Sequence, residues 1–267
     1  MSATAPASGE TGPAGWKAMD DFAAGIDGNR LPRTTDLAGT SLSVAEEHAA
    51  PLHLSFVDGE TVIWRRDDGT AGSDWYEAVE VRPQVHYVTI GDEAQPLRAA
   101  VLVINRLTGR TLTIASVIAG EPTPGRPRVS QTFVPGTLVG STPSGVAPAP
   151  TRDLIGLRAL YRYSPNHLYE HVYLSSERYA WQCLVGEQRG HGDVDLATTW
   201  SLGDDLYVFT FREFIIPVAA TWLYDLSAMR TTGTFFGLGA DGTVKVAPGG
   251  AYITVLGRVT YPDTQPI

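Results

Sequence analysis

The 267-residue sequence predicts an all-β protein: two tandem antiparallel β-barrels from an internal duplication, preceded by a short helix. Three observations carry this. Apolar residues alternate with period two in many short runs. Hairpin signals such as Asp58-Gly59 and Asp67-Asp-Gly69 separate the runs. The second series of runs repeats the first, at offsets of 117, 121 and 120 residues. Leu37-Ala-Gly39 matches Leu154-Ile-Gly156, and Ser55–Trp64 matches Val172–Trp181. Val85–Ile90 matches Leu206–Phe211, and Asn105–Arg110 matches Asp225–Arg230. Each half supplies roughly seven to nine strands, a number that closes around one small ligand.

Residues 1–15 are small, polar and Gly/Pro-containing, and read as a disordered lead. Residues 16–26 predict one helix with Trp16, Met19 and Phe22 or Ala23 inward. The first barrel, residues 16–120, then takes strands at Leu52–Phe56, Thr61–Trp64, Tyr76–Val81, Val85–Ile90, Ala99–Asn105 and Thr111–Val117. Residues 121–152 are rich in Pro and Gly and read as a linker, with only Val129–Val134 and Thr137–Val139 strand-like. The second barrel, residues 153–267, takes strands at Leu157–Tyr163, Tyr169–Leu174, Tyr179–Val185, Val194–Trp200 and Leu206–Glu213. It continues with Ala219–Asp225, Thr231–Phe236, Thr243–Val246 and Tyr252–Val259.

Composition excludes several functions. Acidic residues number 29 against 20 basic, a net charge of −9, which disfavours a nucleic-acid partner. A single cysteine, Cys183, rules out a disulfide framework and a Cys-built zinc site, and its apolar run reads as buried and inert. No run is long and apolar enough for a membrane span, and the start lacks a signal-peptide pattern, so a cytoplasmic protein is expected.

Two motifs suggest cofactors and fail on context. His167-Leu-Tyr-Glu-His171 has the H-x-x-E-H spacing of a zinc peptidase, but that chemistry needs a helix and this stretch reads as a strand. Gly237–Gly242 fits G-x-G-x-x-G, yet a strand follows where a dinucleotide site needs a helix. Neither a metal nor a cofactor is expected.

One constellation remains. Tyr161 and Tyr163 stand two apart on a strand whose other face carries Arg158 and Arg162, so both phenols point inward. Tyr207, Phe209, Phe211 and Glu213 share one face, which places a carboxylate at the end of an aromatic stripe. Burial without a cation would raise its pKa toward neutrality and suit it to proton transfer. The first half has Thr40–Val44 in place of the tyrosine strand, and no inward carboxylate at Gly91-Asp92-Glu93, so it reads as a scaffold or an accessory pocket.

Through Leu31-Pro-Arg-Thr34, Leu37-Ala-Gly39, Trp75-Tyr-Glu-Ala78 and Tyr161–Gly237 the chain resembles the MoaF family, the molybdenum cofactor biosynthesis protein F-like proteins. That resemblance implies two calycin-like, lipocalin-like barrels. The second half is also similar to the bacterial phenolic acid decarboxylases, cofactor-free barrels that are usually homodimers. It carries their Ile-Gly-x-x-x-x-Tyr-x-Tyr strand as Ile155–Tyr163, then Tyr169-Glu170 and Phe211-Arg-Glu213. By that resemblance Tyr161 and Tyr163 orient a substrate carboxylate or phenol, and Glu213 transfers the proton. The family's loop arginine has no strict match. Gly186–Gly192 offers Arg189, and His191 as an alternative acid or base. Tyr173 and Trp181 complete the expected wall. The expectation is a cofactor-independent lyase (a decarboxylase included), isomerase or cyclase acting on a small aromatic or conjugated molecule. The alternative is a non-catalytic small-molecule binding protein.

Overall fold

Alternation along short strands leaves one face for a core and one for solvent, and closing the sheet removes its exposed edges. The computed structural model describes residues 16–267, so the expected disordered lead lies outside the described residues. Eight strands close the first barrel: β1 (Ser41–Glu46), β2 (Leu52–Phe56), β3 (Thr61–Arg66), β4 (Ala71–Arg82), β5 (Val85–Ile90), β6 (Arg98–Asn105), β7 (Arg110–Ile118) and β8 (Val129–Leu138). After the two-residue β9 (Ala149–Pro150), the second barrel runs through β10 (Leu157–Ser164), β11 (His167–Tyr173), β12 (Arg178–Val185) and β13 (Gly192–Gly203). It finishes with β14 (Leu206–Arg212), β15 (Val218–Asp225), β16 (Arg230–Leu238) and β17 (Val244–Arg258). Pairing of β12 with β13 closes it, and β9 adds to the outside of β13.

The duplication holds residue by residue in the ladders. Leu42 faces Leu54 as Ala159 faces His171, and Leu54 faces Trp64 as His171 faces Trp181. Tyr76 faces Ile90 as Ala197 faces Phe211, and Ile104 faces Thr111 as Tyr224 faces Thr231. Gly39 and Gly156, both at positive φ, donate their N–H to Phe56 and Tyr173 at 2.7 and 2.8 Å. A Cβ on Gly156 would meet the Val259 carbonyl oxygen at 2.2 Å, so this turn requires glycine.

Three expectations need correction. The helix shrinks to α1 (Met19–Phe22), with no side-chain cap and a chain reversal at Gly25 (φ 79°). The stretch expected to be a linker carries β8, which pairs with β7 and β1 and closes the first barrel. Thr243–Val246 and Tyr252–Val259 merge into the single long β17. The H-x-x-E-H segment is a strand and Gly237–Gly242 a hairpin, as the context required.

The barrels pack outer face to outer face. Apolar residues of β5–β7 (Tyr87, Val103, Ile114) cluster with Val208 and Leu223 of β14 and β15. The Tyr87 hydroxyl donates to the Thr221 carbonyl (2.8 Å), and Thr89 bonds Thr234 (2.9 Å). Arg82 grips Asp225 with two hydrogen bonds of 2.6 Å. The N-terminal segment belongs to the second barrel, not the first. Met19, Phe22 and Ile26 join its core, and the Asn29 N–H donates to the Tyr163 carbonyl at 2.7 Å. Among the described residues no helix is long and apolar enough to cross a membrane.

Candidate active site in the C-terminal barrel

Side chains projecting inward from β10–β12, β14 and β16 meet beneath the N-terminal segment. Phe22 and Ile26 cover a cavity walled by Tyr163, Tyr169, His171, Tyr179, Trp181, Gln188, Phe211, Glu213 and Phe235. It is tight, about 30 Å³, room for one or two waters.

Glu213 is the polar centre. It follows β14, is 5% exposed, and its Oε2 has no hydrogen-bond partner. Desolvation, then the fields of Asp195 and Asp193, hold its carboxyl well above the usual carboxylate range. Burial in the wall thus favours its protonated form. Asp195, fully buried, accepts from Trp181 Nε1 (2.8 Å) and the Phe214 N–H (3.3 Å), and burial pushes it up to about 7. Asp195 thus ties the Trp181 ring to the backbone just after Glu213.

Tyr163 lines the cavity, and its hydroxyl makes no hydrogen bond among the described residues. Burial raises it well above the ordinary phenol value. His171, 4% exposed, also lines the wall with Nδ1 unpartnered, and burial lowers it to about 3. It is a neutral imidazole. Tyr161 lies behind the wall. Its hydroxyl bonds that of Tyr173 (2.6 Å), which donates to Tyr224 (2.8 Å). Burial pushes Tyr161 up to about 12. Cys183 is buried, and burial raises its thiol.

The expected residues divide accordingly. Tyr163, Trp181, Phe211 and Glu213 come together on the cavity. Tyr161, Tyr173 and Phe209 pack behind it, with Phe209 stacked on Tyr224 at 5.5 Å. Tyr207 is half-buried and does not line the cavity, because its place on β14 is three pairs below Glu213. Arg189 points to solvent, and His191 lies outside the wall against Trp16, at 5.4 Å between ring centres. The loop's inward residue is instead Gln188, 2% exposed, whose Oε1 accepts from the Tyr169 hydroxyl at 3.1 Å. A loop gives no period from which to read its inward position. His171 was masked by the metal motif, although strand alternation with Tyr169 and Tyr173 marks it as inward.

The family model of the MoaF N-terminal domain matches residues 14–120, and that of the MoaF C-terminal domain matches residues 148–259. The chain is 33% identical over 248 residues to "Protein MoaF" of Klebsiella aerogenes, covering 88% of this chain and 92% of that one. Among solved structures, "a putative beta-lactamase" from Burkholderia vietnamiensis aligns with 39% of this chain and 95% of its own, at 14% identity and a TM-score of 0.33. Both barrels and nearly the whole of a curated relative are matched, and the chain belongs to the MoaF family.

Proposed function

We propose that the C-terminal barrel is a cofactor-independent acid–base site for a small aromatic or conjugated molecule. One observation carries the reading: a buried carboxyl with a free oxygen faces a cavity that holds no compensating cation among its lining residues. As a neutral acid, Glu213 can deliver a proton to a carbon or oxygen of a delocalised substrate and recover it from the product. The Tyr163 hydroxyl and the neutral His171 would orient a phenol or carboxylate beside it. Phe211, Phe235 and Trp181 would hold the ring and exclude water. Lyase (decarboxylation included), isomerase and cyclase chemistry all meet these terms. Phe22 and Ile26 must move aside to admit such a substrate, since the cavity of about 30 Å³ is too small for an aromatic ring.

Screening hydroxycinnamates and related phenols by ultraviolet change, with products weighed by mass spectrometry, tests this. Glu213→Gln keeps shape and neutrality but cannot give up a proton. It is expected to lower kcat by about 10²–10⁴-fold with ligand affinity nearly unchanged. Full turnover by that variant would refute the assignment. Binding without turnover across the screen, insensitive to Glu213→Gln, would mark a carrier.

A further inference from the structure

The duplication gives the wall of the C-terminal cavity a counterpart in the first barrel. By ladder register Tyr169, His171 and Trp181 answer to Leu52, Leu54 and Trp64. Phe211 and Phe235 answer to Ile90 and Ala115, and Glu213, two residues past Phe211, answers by the same offset to Asp92. All six counterparts line one pocket. The same clip shapes both ends. Trp64 Nε1 donates to Asp74 Oδ2 (2.6 Å), and Asp74 Oδ1 accepts the Glu93 N–H (2.8 Å), as Trp181, Asp195 and the Phe214 N–H do in the second barrel.

The two ends differ in access and chemistry. The N-terminal segment covers the second barrel only, and the smaller Ala115 and Leu52 replace Phe235 and Tyr169, while the apolar Leu54 replaces His171. The first pocket consequently measures about 230 Å³ against about 30 Å³. Its floor is apolar. Of its charged side chains Arg66 pairs with Glu46 (2.6 Å), while the carboxylates are held by neutral donors: Asp74 in the clip and Asp92 by the Gln95 N–H (2.7 Å). Arg98 on the rim is exposed, and its guanidinium has no partner among the described residues.

We propose that this pocket is a second ligand site, for a small apolar molecule bearing one carboxylate or similar monoanion. The apolar body lies against Leu52, Leu54, Ile90 and the Trp64 ring, and the anion meets Arg98. The volume suits a ligand smaller than the drug-sized molecules that fill about 300–1,000 Å³. The site stands apart from the chemistry proposed for Glu213.

Titration of the full chain with anilinonaphthalene sulfonate, followed by displacement with octanoate, tests it. One saturable site per chain is expected, displaced by octanoate and not by octylammonium. Ala115→Phe installs the ring that Phe235 gives the other barrel, and is expected to weaken octanoate binding at least about tenfold. Arg98→Gln, on the exposed rim, is expected to weaken it about five- to tenfold without affecting folding. Glu213→Gln is expected to leave it unchanged, so failure here and failure of the C-terminal assignment are read separately. No saturable binding up to about millimolar probe, equal displacement by octylammonium, or unchanged binding in Arg98→Gln would overturn the proposal.

Discussion

A carboxyl that loses its water without gaining a cation keeps its proton, and Glu213 is in that position. The consequence reaches stability. An unfolded chain releases this proton above about pH 4.3, whereas the folded chain holds it. The unfolded state then binds fewer protons, so this residue's contribution falls as pH rises past the ordinary carboxylate range. Glu213→Gln removes that loss. Denaturant melts are expected to show the variant's stability relative to the parent rising from pH 5 to pH 8, by up to about 1.4 kcal/mol per pH unit. A difference independent of pH would mean that Glu213 ionises normally. The phenols behind the wall play a different part. Tyr161, Tyr173 and Tyr224 satisfy one another in a buried chain, which makes them positioning groups for the cavity floor.

At the scale of elements, the segment around α1 decides access to the cavity. It is too short and too poorly capped to be a helix on its own account, and its order comes from docking Met19, Phe22 and Ile26 into the second barrel. Phe22→Ala is expected to cost about 3–5 kcal/mol of stability, or less if the segment detaches locally. It is also expected to speed ligand entry to the C-terminal cavity, measured by stopped-flow fluorescence of Trp181. Unchanged entry would show that the segment is no cover. Strands were the legible part of the sequence, because alternation at Val85–Ile90 or Leu157–Tyr163 is a direct image of the pleat. The strand β8 was obscured by prolines, among them Pro135, which sits in the ladder opposite Leu112. The strand β1 was obscured by its run of Ser and Thr at a half-exposed position. The inward tyrosine and glutamate followed from strand parity, whereas Gln188 sits in a loop where no parity applies.

At the scale of the molecule, the two barrels form one unit. The strand β15 is buried along its whole length because the other barrel covers its outer face, so apolar residues occupy both of its faces, with only Thr221 and Asp225 polar. Arg82 crosses this interface to Asp225, itself 2% exposed, and also donates to the Asp204 carbonyl at 2.8 Å. Removing it strands a buried carboxylate. Arg82→Ala is expected to cost about 2–4 kcal/mol and to lower the midpoint of a single unfolding transition in urea. Two separate transitions in the parent protein would show that the barrels fold independently. The repeat was readable as three offsets between matched segments, and the ladders reproduce those offsets. What no single-sequence pattern could give was the partner of each face, since packing between barrels joins residues such as Arg82 and Asp225 that share no local period.

The most direct test of this account is the protonation state of one side chain. Glutamate labelled with ¹³C at the side-chain carboxyl, with the Glu213 resonance assigned from its loss in Glu213→Gln, can be followed by NMR from pH 5 to pH 8. The expected result is a single carboxyl that keeps the protonated chemical shift across the neutral range and moves when an aromatic ligand enters the cavity. A resonance already at the ionised position at pH 6, indifferent to every ligand, would contradict it.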